Sequence, residues 1–405
     1  MKADLLKSDP GRADGDSAGR DVDRLLPPEI RLVLQSAAGT PPAPEFAALA
    51  ASDLDWEVVT ALAERVGASA VLGDILETVR TTAPAEQRNH LIRVAAIRRL
   101  RQELLQRKLE QTVRVLDDAG IPVLLLKGAG LALTVYGSFG DRLMSDLDLL
   151  VPDERSDEAY DLLTRDDWIP QGPRERYRHH HHLPPLQHVG GSRIRLELHT
   201  RLLPPGHPFR LDEGGFRERA RALEVAGSRV AVPGLEDQAL HLCMHFAWSH
   251  TMRFSAWSTF RDLRKLDEAG LHWDELVRTA RRARAASTCY WTLRLGRSLT
   301  HHPVPSGVLE ALRPPTSRVS LDLLERHLAL QVLPTNRACP SIALGRALWV
   351  AAIRPGQSGH GASRPWDLSP VAERTSSPRV AAVHRHLGVL RHWGRYAAAI
   401  AGRSG

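Results

Sequence analysis

Apolar residues recur at three- and four-residue spacing from Pro27 to about Glu110, most clearly in "DWEVVTALAERVGASAVLGDILETV" and "LIRVAAIRRLRQELLQRKLEQTVRVLDDAG". That period marks helices with one buried face. Gly120 and Pro122 supply the stop. The pattern then changes. "IPVLLL" reads as a buried strand, "AGLALTVYG" as a short helix and "DLDLLV" as a second strand. "DERSDEAYDLLTRDDW" reads as a helix beginning after Pro152, and "SRIRLELHT" alternates polar and apolar residues as a strand does. Pro233 and Gly234 break a further strand, and from "LEDQALHLCMHFAWSH" the period is helical again to about Ala352. "RPGQSGHGASRPWDLSP" has the composition of a linker.

These periods predict an α+β protein, a mixed-sheet core flanked by N- and C-terminal helical regions. The expected divisions are a polar, disordered tail (1–26), a helical N-terminal region (27–110), the sheet core (111–234), a helical C-terminal domain (235–353), a linker (354–378) and a basic amphipathic C-terminal helix (379–405).

Composition changes this picture little. The net charge of +7 favours acidic partners. Of the 54 basic residues, however, 49 are Arg and 5 Lys, in a chain rich in Ala, Gly and Pro, as a GC-rich coding bias produces. No run of five or six basic residues makes a nucleic-acid arm, so nucleic acid is not the favoured partner. Cys243, Cys289 and Cys339 are too few and too widely spaced for a disulfide framework or a zinc pattern. The N-terminus has no apolar signal region, and no apolar run is long enough to span a bilayer. A cytoplasmic location and no membrane partner are expected.

The chemistry sits in "VLLLKGAGLALTVYGSFGDRLMSDLDLLV", Val123 to Val151. Side chains at i and i+2 of a strand share a face, so Asp146 and Asp148 point together while Leu147 and Leu149 point to the core. Two adjacent, desolvated carboxylates repel, and divalent cations remove the cost in the manner of two-metal phosphoryl transfer. Glu197 offers a third acid on another strand, flanked by Leu196 and Leu198. Lys127 and Arg142 are placed to neutralise a triphosphate, and Gly128 lets backbone N–H groups approach a phosphate. A lone D-x-D is usually a solvated edge pair. The order of strand, Lys-Gly, short helix, Arg, D-x-D strand, helix and carboxylate strand carries the reading.

This order resembles the DNA polymerase beta-like nucleotidyltransferase superfamily, and more closely the bacterial family of uncharacterised nucleotidyltransferases. The matching positions are Lys127-Gly128, Arg142 with Ser145-Asp146-Leu147-Asp148, Leu196-Glu197-Leu198-His199, Glu236-Asp237 with Leu240, Leu242 and His245, and Asp262. The resemblance covers about Leu104 to Leu266. It departs at Thr200, where Trp is usual, and at Gly128-Ala129, where many superfamily members have Gly-Ser. It implies a nucleotidyltransferase fold and an enzyme that moves an NMP from an NTP to a small-molecule or peptide acceptor. Mg²⁺, or Mn²⁺, would be held by Asp146, Asp148 and Glu197, and the nucleotide by Lys127, Gly128, Ala129, Arg142 and Ser145. His199 and His245 are candidate substrate-facing residues. Some relatives accompany clusters making modified peptides, which points to a peptide acceptor. The alternatives are a non-catalytic nucleotide- or peptide-binding protein of the same fold and an RNA-modifying nucleotidyltransferase.

Three further signals have plainer readings. His179 to His182 and His188 read as a substrate-facing loop rather than a zinc site. His241 and His245 share a helix face, but position 242 is Leu, so the H-E-x-x-H metalloprotease pattern is absent. Trp248 and Trp257 are at core spacing, with base stacking as the less favoured role.

Overall fold

The computed structural model describes residues 22, 24–39, 42–190, 194–253, 255–333, 338–353 and 392–401. Five helices come first: α1 (Pro28–Gln35), α2 (Pro44–Ala50), α3 (Trp56–Val66), α4 (Ser69–Leu76) and α5 (Ala85–Asp118). The mixed α/β region follows with β1 (Leu124–Leu125), α6 (Lys127–Leu131), β2 (Asp146–Leu150), α7 (Ser156–Arg165), β3 (Trp168–Pro170), β4 (Leu186–His188), β5 (Arg195–His199), α8 (Glu213–Glu218), β6 (Arg221–Val225) and β7 (Ser228–Val232). Helices α9 (Leu235–Trp248), α10 (Ala256–Glu268), α11 (Trp273–Arg282), α12 (Ala286–Thr300), α13 (Ser306–Leu312), α14 (Arg318–Ala329) and α15 (Ile342–Ile353) complete the main body, and residues 392–400 are helical. The class is α+β, as the periods predict.

Local sequence explains the boundaries. Asp55 caps α3 by accepting from the Glu57 and Val58 N–H groups, and Gly67 ends the helix in a left-handed conformation at φ 85°. Helix α5 runs on to Asp118 before Gly120 turns the chain. The strand expected over "IPVLLL" is shorter than its apolar run: only Leu124–Leu125 pair, because the chain bends into α6 at Lys127.

Seven strands form one sheet in the order β3-β4-β5-β2-β1-β7-β6. β2 lies between β1, antiparallel to it, and β5, parallel to it. Leu147, Leu149, Leu196 and Leu198 are fully buried on one face, where they pack with Leu105, Leu109, Val113 and Leu116 of α5. The N-terminal helices do not form a core of their own. Leu32, Phe46, Leu72 and Leu91 join Phe246, Phe260, Leu263 and Trp291 of the C-terminal helices in a single apolar cluster. Helix α5 therefore contributes to both cores, Leu91 to the helical one and Leu105 to Leu116 to the sheet.

Trp257 is a buried core residue that donates Nε1–H to Ser36 Oγ at 3.0 Å, while the half-buried Trp248 packs edge-on against Phe209 at the margin of the core. All three cysteines are free. No helix among the described residues is long and apolar enough to cross a membrane. The expected linker (354–378) lies outside the described residues. So do most of the 1–26 tail and the 379–391 start of the basic helix, although Val22 and Leu26 are described and buried.

Candidate active site

Parallel pairing of β2 with β5 brings the acids together. In the ladder Asp146 stands opposite Arg195, Asp148 opposite Glu197 and Leu150 opposite His199. The period of two then puts Asp148, Glu197 and His199 on the face away from the leucine core. Donor atoms of these three residues lie within 4.8 Å of one another. Asp148 is buried, with Lys127 Nζ donating to its Oδ1 at 2.7 Å and His199 Nε2 donating to the same oxygen at 2.9 Å. Glu197 is more open; His199 Nε2 is 3.8 Å from its Oε2.

The electrostatics follow from crowding. Burial pushes the Glu197 carboxyl up to about 7, with the Asp148 charge adding to the shift. Burial also raises Asp146, again with Asp148 contributing. Asp148 moves the other way: Lys127 and His199 outweigh burial and hold it well below the usual carboxylate range. The His199 imidazole is lowered to about 4 by burial and stays neutral near pH 7. Lys127 is held above its ordinary value, because Asp148, Glu197 and Asp146 together outweigh its desolvation. Its backbone is left-handed at φ 45°, an unfavourable conformation for a residue with a side chain and of the kind found at functional sites.

This donor set fits a divalent cation. The carboxylate oxygens are hard ligands of the type Mg²⁺ and Mn²⁺ prefer. Burial and the Asp148 charge raise two of the three acids, and Lys127 and Arg195 together do not offset that rise. His199 is a nitrogen neighbour whose Nε2 already serves Asp148, while its Nδ1 is buried without a partner.

A cleft of about 560 Å³ opens over this face. Asp146, Asp148, Glu197, Lys127, Gly128, Arg142, Ser145 and His245, all singled out in the sequence, line it. Two others do not. Ala129 packs its methyl group into the sheet core, and His199 lies behind Asp148 as a buried positioning residue.

Arg142 has a role the sequence did not suggest. Its guanidinium is committed to Asp262 of α10, through Nε at 3.3 Å and Nη2 at 2.8 Å, and Tyr136 Oη donates to the same carboxylate at 2.6 Å. Gly128 is needed for this packing: a Cβ there would stand 2.7 Å from Arg142 Nη1 and 3.1 Å from Met144 Sδ.

The histidine run also falls elsewhere. The backbone of His182 bridges to His199, and the rings of His181 and His182 lie 5.1 and 5.5 Å from that of His199. They back β5 rather than line the cleft, and none joins the metal-competent group found among the described residues. The neutral imidazoles of His241, His245 and His250 form a different wall of the cleft, with the hydroxyls of Ser255, Ser258 and Thr259. The Glu-Asp motif opening α9 is structural: Asp237 accepts from Arg219 Nε and Nη2, both at 2.9 Å. Sequence reasoning missed Arg65, Arg98 and Arg101, which line the cleft from α3 and α5.

A family model described as "Uncharacterised nucleotidyltransferase" matches residues 52–301, more than half of the chain and all of the acidic face. The chain belongs to that family. The match begins before the sheet and takes in α3, α5 and α9 to α12, so the helical walls of the cleft fall within the family unit along with the acids. No curated protein sequence matches the chain.

Proposed function

We propose that the protein is a metal-dependent nucleotidyltransferase that moves an NMP from an NTP to a small-molecule or peptide acceptor. The observation that carries the reading is the convergence of Asp148 and Glu197 in register on two parallel strands, with Asp146 on the same strand and all three in one cleft. Three buried or half-buried acids, with Lys127 and the exposed Arg195 as their cations, form an anionic site that favours a divalent ion. Asp146, Asp148 and Glu197 would hold Mg²⁺ or Mn²⁺, which supplies charge stabilisation to the phosphoryl oxygens when bound.

The chain's own groups have separable tasks. His199 fixes the Asp148 carboxylate through Nε2. Lys127 is in reach to exchange its bond with Asp148 for one with a phosphate oxygen. Gly128 and Ser145 belong to the nucleotide end of the site, and Arg142 shapes it through Asp262. In the reaction an acceptor hydroxyl oxygen forms a bond to the α-phosphorus and the bond from that phosphorus to the bridging β-oxygen breaks. Pyrophosphate leaves, and the hydroxyl proton passes to Glu197 acting as base, or to solvent where Glu197 serves as a metal ligand. The neutral His241 and His245 wall suits a polar acceptor.

One observation favours a second reading, a non-catalytic nucleotide- or peptide-binding protein. Lys127 already gives Asp148 a cation at 2.7 Å, so the fold closes that carboxylate without a metal. The deciding experiment incubates the protein with each labelled NTP, Mg²⁺ or Mn²⁺ and host extract. Divalent-dependent transfer of label supports the enzyme. Binding of NTP with no transfer to any fraction supports the second reading.

A further inference from the structure

The charges that line the cleft do not balance in pairs. Five arginines and lysines line it among the described residues, Arg65, Arg98, Arg101, Lys127 and Arg142, beside the carboxylates of Asp146, Asp148, Glu197 and Asp262. Lys127 is paired with Asp148 and Arg142 with Asp262. Arg65, Arg98 and Arg101 remain, and none of them forms an ion pair with a described residue. Arg98 donates to the Glu64 backbone carbonyl at the end of α3. Burial holds the Arg98 guanidinium below its ordinary value; the Glu64 charge opposes the shift and neighbouring Arg101 adds to it. A half-buried Arg98 beside the like charge of the exposed Arg101 carries a cost that an anion would relieve.

The placement of these arginines is built into the fold. Gln102, next to Arg101 on α5, clasps the Met144 backbone, donating Nε2–H to its carbonyl at 2.9 Å and accepting its N–H at 3.3 Å. That clasp fixes α5 two residues before Asp146. Gly67 lets Leu143 and Arg98 approach the end of α3: a Cβ there would meet Leu143 Cδ1 at 3.2 Å and Arg98 Nη1 at 3.6 Å. Arg65 lies in the last turn of α3, beside this junction.

We propose that Arg65, Arg98 and Arg101 form a polyphosphate subsite that holds the β- and γ-phosphates of the NTP while its α-phosphate lies at the acids. The subsite deepens the function proposed above and rests on it. A triphosphate still carries negative charge after pairing with a divalent cation and with Lys127, and the cleft's other arginine, Arg142, is held by Asp262. Planar guanidinium forks match phosphate oxygens in pairs. The competing role for Arg65 and Arg98 is to stabilise the C-terminal end of α3, and binding measurements separate the two.

The test is calorimetric titration of the full-length protein and of R65Q/R101Q with tripolyphosphate, each NTP and the matching NMP, all with Mg²⁺. The subsite predicts that the variant loses about tenfold or more in affinity for tripolyphosphate and the bound NTP, with NMP affinity unchanged. Should the double variant unfold, R101E alone, at an exposed position, must weaken tripolyphosphate at least as strongly. Unchanged tripolyphosphate and NTP affinity in a folded variant overturns the subsite and leaves the nucleotidyltransferase reading standing. A wild-type protein that binds neither tripolyphosphate nor any NTP overturns both.

Discussion

At the scale of single residues, Asp146 and Asp148 look alike in the sequence and differ in the folded chain. Asp148 is buried under Lys127 and His199, whereas Asp146 has Ser145 Oγ at 3.3 Å and its charge is raised in cost by burial. Removing both carboxylates without loss of stability would be the expectation for an unpartnered pair; the structure limits that expectation to Asp146. Asp148→Asn should cost roughly 3 kcal/mol in urea unfolding without divalent ions, because it takes the hydrogen-bonded counter-charge from a half-buried lysine. Asp146→Asn should be neutral or slightly stabilising. Equal effects of the two would contradict this assignment of partners. Glu197 carries the pH dependence. Its folded value of about 7 lies above the ordinary 4.5, so between these values the native state binds more protons than the unfolded one. Its contribution to apo stability therefore weakens as pH rises through that window. A cation needs the ionised form, so Mg²⁺ or Mn²⁺ binding should release close to one proton at about pH 6 and almost none at pH 8.5. Calorimetry in buffers of different ionisation enthalpy measures this directly; proton release independent of pH would place Glu197 outside the ion site.

At the scale of elements, short-range pattern was legible and long-range pairing was not. The period of two made the shared face of Asp146 and Asp148 readable, and likewise that of Glu197 and His199, because alternation along one strand is a local property. Nothing local states that β2 and β5 pair in parallel with Asp148 opposite Glu197. Arg142 reads from the sequence as a phosphate cation, and nothing local signals its bond to Asp262, 120 residues away. Arg65, Arg98 and Arg101 went unread among 49 arginines for the same reason, since only the fold brings α3 and α5 to the cleft. The glycines of α6 also take their meaning from packing. A Cβ on Gly130 would stand 2.8 Å from the Leu125 carbonyl oxygen, a backbone atom that cannot move aside, whereas the obstacles at Gly128 begin with a side-chain tip. Gly130→Ala should cost about 1–3 kcal/mol and Gly128→Ala less. Denaturant unfolding of the two variants checks the order; the reverse order would show that the loop over Gly128 is the more rigid element.

At the scale of the whole molecule, two cores meet at the cleft. One is the sheet with the second half of α5; the other joins the N- and C-terminal helices. Arg142, just before β2, and Asp262 on α10 form a buried tie between the cores, and Tyr136, packed on the helical core, donates to the same carboxylate. Asp262→Asn leaves the Arg142 charge buried and unpaired, so it should cost roughly 3–5 kcal/mol and separate one unfolding transition into two. Unfolding that stays single and equally stable would show that the tie does not couple the cores. The proposed chemistry also belongs to this scale, because the acids come from the sheet and the imidazole and arginine walls from the helices. The enzyme and binding-protein readings part at Glu197, where Glu197→Gln keeps size and removes charge. The most direct test is NTP affinity and divalent-dependent label transfer measured on one preparation of that variant beside the wild type. An enzyme predicts NTP binding largely retained and transfer reduced by about a hundredfold or more. Transfer unchanged in Glu197→Gln, or a wild type that binds NTP and transfers nothing, would contradict it.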